Sequence, residues 1–204
     1  YTGITQFLGF KNYGDEYKVM GLAPYGDPVY YEKMRKILIK SPGEKFKLNL
    51  DYFLHHTGNV DMTWLESTPK ISNVFDKNLI NLLGNERKEK DKIEKFHMDI
   101  ASSAQKLYET IIIEIANEVF NKQKSDNLCL SGGCAMNSVA NGKIIKNTGY
   151  KNIYIPSSPG DSGGAIGSAV KVIRETNILN KYNDNPYLGP EYTNMEIKKI
   201  IFLK

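Results

Sequence analysis

Two glycine-rich turns carry the clearest chemical signal in the sequence. The first is Ser131, Gly132 and Gly133, and the second spans residues 157–163; each follows a short apolar stretch and precedes a helical pattern. At such a position the free amide groups and the dipole at a helix start favour a phosphate or another anion, and open α/β sheets bind ligands at this edge. The turns therefore indicate an anion or nucleotide site.

The first turn matches no standard phosphate-binding fingerprint. No Gly-Lys-Ser or Gly-Lys-Thr follows Gly133, and the glycine spacing differs from that of a dinucleotide-binding turn. From the residues alone two interpretations stay open. The turn binds a nucleotide, or it is a close-packed connection between a strand and a helix.

The second turn places a single carboxylate, Asp161, among four glycines: Gly160, Gly163, Gly164 and Gly167. An aspartate in this position is able to cap a helix, to bind a ribose hydroxyl or to coordinate a metal, and capping is the simplest of these roles. One carboxylate does not hold a catalytic metal by itself, so a metal site would need further ligands.

The histidines do not supply those ligands by spacing. His55 and His56 are adjacent and point in different directions, whereas His97 has Ile93 and Ala101 at the positions where a second ligand on its helix would lie. We therefore expect structural or surface roles for all three. Cys134 has no recognisable histidine partner and Cys129 lies in an apolar run, so both are expected to be packed side chains.

The turns must be positioned by the elements around them. Residues 127–130 and 152–156 read as strands, and residues 134–147 and 164–176 read as helices. Two successive strand, turn and helix units predict an α/β layer with a parallel strand pair. The element before them, residues 93–123, is predicted as one long amphipathic helix because apolar residues recur at steps of three or four: Phe96, Ile100, Ala104, Leu107, Ile111, Ile115 and Val119.

The other segments of the chain have weaker patterns. Residues 17–23 and 73–83 read as helices, residues 30–40 as a helix after Pro28, and residues 46–53 as a strand. Residues 86–95 are a run of charges of both signs without an aromatic residue, which is typical of a solvated surface. Residues 180–190 read as a linker.

Composition excludes several classes. The 204 residues are 41% hydrophobic and 25% charged, as in an ordinary globular protein, and 27 basic against 23 acidic residues leave a net charge of +4. That surplus is too small to predict a nucleic-acid or membrane partner. No stretch reaches the roughly 18 apolar residues of a membrane span, and the start lacks a signal-peptide pattern, so we expect a cytoplasmic protein. Because residues 1–9 do not begin with methionine and already have an apolar pattern, we expect a longer parent chain.

Four segments resemble the motifs of the O-carbamoyltransferases of the nodulation-protein and antibiotic-tailoring type, and they occur in the order in which that family has them. They are Lys18-Val-Met-Gly-Leu-Ala-Pro-Tyr-Gly26 (motif 1), Asp99-Ile-Ala through Gln105 (motif 2), Leu130-Ser-Gly-Gly-Cys-Ala-Met-Asn137 (motif 3) and Pro159-Gly-Asp-Ser-Gly-Gly-Ala-Ile-Gly167 (motif 4). The resemblance extends over nearly the whole chain and includes residues 188–192, which resemble the family's junction to a carboxyl-terminal domain.

The resemblance implies a fold and a domain arrangement. Residues 1–180 would form the carboxyl-terminal, nucleotide-facing lobe of a duplicated actin-like ATPase (ribonuclease-H-like) fold, an α/β architecture with a mixed sheet flanked by helices. Residues 181–204 would be a linker and the start of an adenylate-forming domain. The parent chain would supply the first lobe and the rest of that domain.

The resemblance also implies chemistry. ATP and carbamoyl phosphate would yield carbamoyl-adenylate, and this lobe would pass the carbamoyl group to the hydroxyl of a small molecule. Ser131, Gly132, Gly133 and Asn137 would line the nucleotide together with Gly163 and Gly164, and Lys18 would be a catalytic cation. Asp161 would bind a divalent metal, iron or magnesium, whose usual histidine partners, two residues four apart on a helix of the first lobe, have no match in this sequence. The isolated 204 residues are therefore expected to be inactive.

Alternatives of other classes remain open. A sugar or acetate kinase of the same fold would use similar glycine turns, although motif 1 counts against it. A nucleotide-binding module without catalysis would bind but not turn over its ligand. Direct tRNA modification gains little support, because the net charge is small and no basic stripe interleaved with aromatic residues is present.

Overall fold

The computed structural model describes residues 1–39, 46–58, 60–64, 69–176, 186–187 and 189–202. The chain divides into two compact units. The first unit contains residues 1–128 and 137–153, and the second contains residues 129–136 and 154–204. The architecture is mixed α/β with many helices and small sheets, as the sequence predicts at this level.

Most of the described chain is helical. The α-helices are α1 (Thr2–Phe7), α2 (Glu16–Leu22), α3 (Tyr31–Met34), α4 (Lys77–Leu83), α5 (Lys95–Gln123), α6 (Ser138–Asn147), α7 (Gly163–Glu175) and α8 (Asn194–Phe202). Short 3₁₀ turns lie at Ala23–Tyr25, Arg35–Ile37, Leu50–Tyr52 and Gly133–Met136. Among the described residues, no helix is long and apolar enough to cross a lipid bilayer.

The strands are short and form three pairs within the described ranges. They are β1 (Leu38–Ile39) with β2 (Lys47–Leu48), β3 (Met62–Thr63) with β4 (Lys70–Ile71), and β5 (Asn127–Cys129) with β6 (Asn152–Tyr154). The first two pairs are antiparallel. In the third pair, the Asn152 amide donates to the Asp126 carbonyl, and the Leu130 amide donates to the Tyr154 carbonyl. Residue numbers therefore increase in the same direction along both strands, which is the parallel arrangement. The predicted parallel pair is thus confirmed.

Helix α5 organises the first unit. It begins where the Glu94 and His97 side chains form a reciprocal capping box, and it ends at Lys124, which adopts a left-handed conformation with φ of 49°. The predicted amphipathic helix is confirmed, and its amino-terminal half is the more deeply buried: Ile100, Ala101 and Ala104 join the main core. That core also takes apolar residues from the preceding elements: Ile4, Phe7, Leu8, Val19, Met34, Leu79 and Leu83.

Three predictions fail in detail. Residues 30–40 are not one helix: α3 ends at Met34 and the chain then turns into β1. Residues 46–53 form only β2 before a 3₁₀ turn capped by the Asn49 side chain. Residues 134–147 are interrupted, because the Asn137 side chain accepts from the Ala140 amide and starts a separate helix, α6.

The cysteine prediction is wrong as well. Cys129 and Cys134 are both exposed. Cys129 lies on β5, which pairs with β6 in a two-stranded sheet. In the second unit, none of the described residues of α7 or α8 is buried.

Candidate functional site

Motif 1 lies directly on the long helix that carries motif 2. A Cβ placed on Gly26 would be 2.1 Å from the Met98 carbonyl oxygen, so only glycine permits this approach. The next amide, that of Asp27, donates to the Asp99 carboxylate at 2.7 Å. The contact therefore fixes the end of motif 1 against the start of motif 2.

The charge of Asp99 is stabilised by these same contacts. Burial opposes ionisation of the carboxyl group, but the Asp27 amide and the Lys95 ammonium, 3.0 Å away, hold the pKa of Asp99 below its usual value. Lys95 also pairs with Asp27 at 2.6 Å. Asp99 is thus an anionic anchor for the motif 1 loop.

Motif 2 is joined to motif 3 through two carboxamides. Gln105 Nε2 donates to Asn137 Oδ1 at 3.0 Å, and Asn137 Nδ2 donates to Gln105 Oε1 at 2.9 Å. The same Asn137 oxygen accepts from the Ala140 amide at 3.0 Å. Asn137 therefore begins α6 and ties this helix to α5.

An ion pair and a phenol complete the network around the carboxamides. Glu109 accepts from Gln105 Nε2 at 3.1 Å and from Lys143 Nζ at 2.6 Å, while the Tyr1 hydroxyl donates to Gln105 Oε1 at 2.9 Å. Gln105 and Glu109 are 4% and 5% exposed. Burial is the main cause that raises the pKa of Tyr1, and a hydrogen bond with Asn137 acts in the opposite direction. We call these five residues, Tyr1, Gln105, Glu109, Asn137 and Lys143, the carboxamide network.

A cavity of about 180 Å³ borders this network. Its wall includes Gln105, Glu109 and Lys143 from the network, together with Met20 and Pro24 from motif 1. Motifs 1 and 2 and the start of α6 thus border one small space within the first unit.

Lys18 is held at the edge of motif 1 rather than being free to move. Its ammonium pairs with Asp15 at 2.8 Å and lies over the rings of Phe10 and Tyr17 at 5.5 and 5.9 Å. The hydrogen bond to Asp15 raises the pKa of Lys18. The residue is therefore a cation at neutral pH and does not serve as a base.

In the second unit, the turn of motif 3 packs on the turn of motif 4. The Gly132 amide donates to the Pro159 carbonyl at 2.6 Å, and Gly132 has φ of +95°, a conformation that favours glycine. No described residue lies within 4 Å of a Cβ added at Gly132 or Gly133. The backbone of this turn is thus open on the side where a side chain would stand, as close approach of a ligand requires.

The glycines of motif 4 have different environments. A Cβ on Gly163 would be 2.1 Å from the Ser158 carbonyl oxygen, so Gly163 is needed for packing of the turn. A Cβ on Gly164 would stand in open space, although the Gly164 amide already donates to the Asp161 carbonyl. The amide of Gly163 donates in the same way to the Gly160 carbonyl. Within one motif, Gly163 is therefore required for packing, whereas the Cβ position of Gly164 is open.

The surroundings of Asp161 provide no metal donor set. The residue precedes Ser162, the N-cap of α7, and no side-chain hydrogen bond caps that helix. Within the described ranges, no group of three or more His, Cys, Asp or Glu residues is placed to hold a metal ion. The described residues therefore do not form a metal site by themselves.

Comparison with known proteins identifies the family. Residues 1–170 match the family described as carbamoyltransferase N-terminus. The chain belongs to the carbamoyltransferase family. The matched range contains all of motifs 1 to 4, so both glycine turns and the carboxamide network lie within it.

Several curated proteins are similar over almost the whole chain. An uncharacterized protein of Synechocystis sp. is 37% identical over 207 residues, which cover 97% of this chain and 31% of that protein. Nodulation protein NolO of Bradyrhizobium diazoefficiens is 27% identical over 205 residues, covering 98% and 33%. Nodulation protein NolNO of Sinorhizobium fredii is 26% identical over 179 residues, covering 86% and 22%. The chain thus spans about a third or less of the length of these relatives.

Sequence reasoning missed part of this site. Gln105 and Asn137 were recognised as motif residues, but their pairing was not predicted, and neither was the contribution of Tyr1, Glu109 or Lys143. One signal was available: Gln105 and Glu109 are four residues apart and lie on the same face of α5, where polar residues interrupt an otherwise apolar stripe.

Proposed function

We propose that the full-length protein is an ATP-dependent O-carbamoyltransferase, and that this chain forms the carboxyl-terminal lobe of its actin-like transferase domain. The single observation that carries the proposal is the carboxamide pair of Gln105 and Asn137, which joins two family-like motifs in a partly buried network. Family membership and the nodulation-protein relatives support carbamoyl transfer in general.

The proposed reaction has two stages. Carbamoyl phosphate, water and ATP give carbamoyl-adenylate, phosphate and pyrophosphate in an adenylate-forming domain that begins after residue 180. In this lobe, the oxygen of an acceptor hydroxyl then forms a bond to the carbamoyl carbon while the bond from that carbon to the AMP phosphate oxygen breaks. The hydroxyl proton leaves to solvent or a base, and AMP departs as a stable anion.

The residues of this chain would hold the nucleotide part of the adenylate. Ser131, Gly132 and Gly133 would bring backbone close to it, which the open space beside Gly132 and Gly133 supports. Asn137 would contribute its carboxamide. From motif 4, Gly164 would allow approach, and Gly163 would maintain the turn that presents it.

Lys18 would act through its charge. An ammonium group near the phosphate or the carbamoyl oxygen stabilises negative charge that develops during transfer. The hydrogen bond that Lys18 donates to Asp15 raises its pKa and keeps that charge in place. We therefore assign Lys18 an electrostatic role and no proton transfer.

Asp161 is proposed as one ligand of a divalent metal, iron or magnesium. The described residues include no group of three or more His, Cys, Asp or Glu that could hold a metal, so further ligands would come from other parts of the full-length protein. No step of the reaction is assigned to the metal. The proposed partners are carbamoyl phosphate and a small hydroxyl acceptor, without nucleic acid or membrane, in the cytoplasm.

The test uses the full-length protein with ATP, carbamoyl phosphate and a divalent cation, and follows carbamoyl-adenylate and pyrophosphate by mass spectrometry. Wild type and Asp161→Ala are expected to form the adenylate equally, whereas only wild type consumes it with an acceptor or by slow hydrolysis. If wild type forms no adenylate with any cation, the proposal is wrong. If it forms ADP instead, a kinase of the same fold is the better interpretation.

A further inference from the structure

The carboxamide network has a fixed direction of hydrogen bonding. Lys143 donates to one oxygen of Glu109 at 2.6 Å, and Gln105 Nε2 donates to the other at 3.1 Å. An ionised carboxylate only accepts hydrogen bonds, so it forces the amino group of Gln105, and not its carbonyl, to face Glu109. The ion pair therefore decides which way round the Gln105 amide lies.

That orientation passes on to Asn137. With Nε2 directed at Glu109, the Gln105 carbonyl accepts from the Tyr1 hydroxyl and from Asn137 Nδ2. Asn137 Oδ1 then accepts from Gln105 Nε2 and from the Ala140 amide. Both lone pairs of this oxygen are engaged, so the polar capacity that Asn137 can offer to a ligand is an N–H group.

We propose that Glu109 and Gln105 are positioning residues that fix the Asn137 carboxamide as a hydrogen-bond donor, so that the site recognises an acceptor atom of the adenylate. This inference rests on the proposed function of the same lobe. In the complex, this atom of the adenylate accepts a hydrogen bond from the Asn137 N–H that is bonded to the Tyr1 hydroxyl in this structure. Burial of Gln105 and Glu109 makes the direction hard to reverse, because water does not readily replace a lost partner.

The sharpest variant is Glu109→Gln in the full-length protein. It keeps the size of the side chain and a bond to Lys143 but is able to donate as well as accept, so Gln105 is no longer held in one orientation. The matched control is Glu118→Gln on the same helix, which alters a more exposed ion pair with Lys122 at 2.7 Å. Rates of adenylate formation and adenylate consumption are measured separately for each.

We expect Glu109→Gln to consume the adenylate about tenfold more slowly, the effect of losing one oriented hydrogen bond. Formation stays within about twofold of wild type, and Glu118→Gln matches wild type in both rates. Consumption at the wild-type rate in Glu109→Gln overturns the positioning role. Failure of wild type to form any adenylate overturns the proposed function instead.

A double-mutant cycle separates positioning from general loosening of the structure. Asn137→Asp retains a helix cap but has no N–H to donate. If Glu109 acts through Asn137, adding Glu109→Gln to Asn137→Asp slows consumption no further, whereas additive effects contradict the inference. Should Glu109→Gln fail to fold, Gln105→Met removes the same orientation without altering the ion pair and enters the same cycle.

Discussion

Gly26 lies so close to Met98 that a Cβ on the glycine would be 2.1 Å from the Met98 carbonyl oxygen and 2.6 Å from the Asp99 amide nitrogen. Backbone meets backbone here, so neither side is able to yield as a flexible side chain would. The contact sets the distance between the motif 1 loop and helix α5. Because α5 also carries Gln105, this single glycine fixes where motif 1 stands relative to the carboxamide network.

We expect Gly26→Ala to destabilise the protein by about 2 kcal/mol or more, because the added methyl group forces the loop away from α5. Gly21→Ala is the matched control: Gly21 lies in α2, and no described residue is within 4 Å of its added Cβ. That substitution should be neutral or stabilise by up to about 1 kcal/mol, since alanine favours a helix. Denaturant midpoints test the pair, and equal midpoints would contradict the packing argument.

Arg87 is predicted to be costly to remove because it is a buried cation that several backbone carbonyls hold. It is 6% exposed, its Nε donates to the Leu8 carbonyl at 2.6 Å, and its Nη1 donates to the Asp91 carbonyl at 2.6 Å. Arg87→Met should lose about 2 to 4 kcal/mol, because the buried Leu8 carbonyl loses its partner and the bonds to the following loop are lost as well. Arg35→Met, which alters an exposed pair with Glu32, should change stability by at most about 1 kcal/mol. Thermal or denaturant unfolding gives both values; similar losses would refute the account.

Stability should fall in mild acid because of His97. Burial first, and the nearby Arg87 charge second, lower the pKa of His97 from its ordinary 6.5, and its Nδ1 accepts from the Glu94 amide. The unfolded chain therefore binds a proton more readily than the folded one. The stabilisation is complete above about pH 6.5 and is lost as the pH falls through the lower folded-state value.

His97→Gln tests this dependence, because glutamine retains the capping-box acceptor but does not titrate. Between about pH 7.5 and about pH 5.5, the denaturation midpoint of wild type should fall more than that of His97→Gln. His55→Gln, at an exposed position, should follow wild type. Parallel curves for wild type and His97→Gln would show that His97 does not cause the loss.

How far the sequence alone predicts this structure depends on the range of the interactions. Helix α5, the two glycine turns and helix α7 were predicted, because apolar periodicity and glycine breaks are local signals. The chain after Met34 was not, since β1 depends on the pairing of Leu38 with Leu48 in another segment of the chain. The Gln105 and Asn137 pair is 32 residues apart in sequence and has no local pattern. The sequence around either residue does not predict its partner, because the two side chains meet only in the folded chain.

Substitutions at the glycines of motif 4 distinguish a role in packing from a role in ligand binding. Gly164→Ala meets open space and should leave the melting temperature nearly unchanged while slowing consumption of the adenylate severalfold, since a methyl group would stand between backbone and ligand. Gly167→Ala on the same helix, also in open space, should affect neither. Gly163→Ala should lower the melting temperature, because its Cβ would meet the Ser158 carbonyl oxygen. If Gly164→Ala consumes the adenylate as fast as Gly167→Ala, the ligand does not approach this turn.

The most direct test of the central claim follows the nucleotide product. The full-length protein is incubated with ATP labelled at the α-phosphate, with and without carbamoyl phosphate, and the labelled products are separated. Carbamoyl transfer through an adenylate predicts AMP, with pyrophosphate, only when carbamoyl phosphate is present, and much slower AMP release in Asn137→Asp. Labelled ADP, or AMP that forms equally without carbamoyl phosphate, would contradict the account.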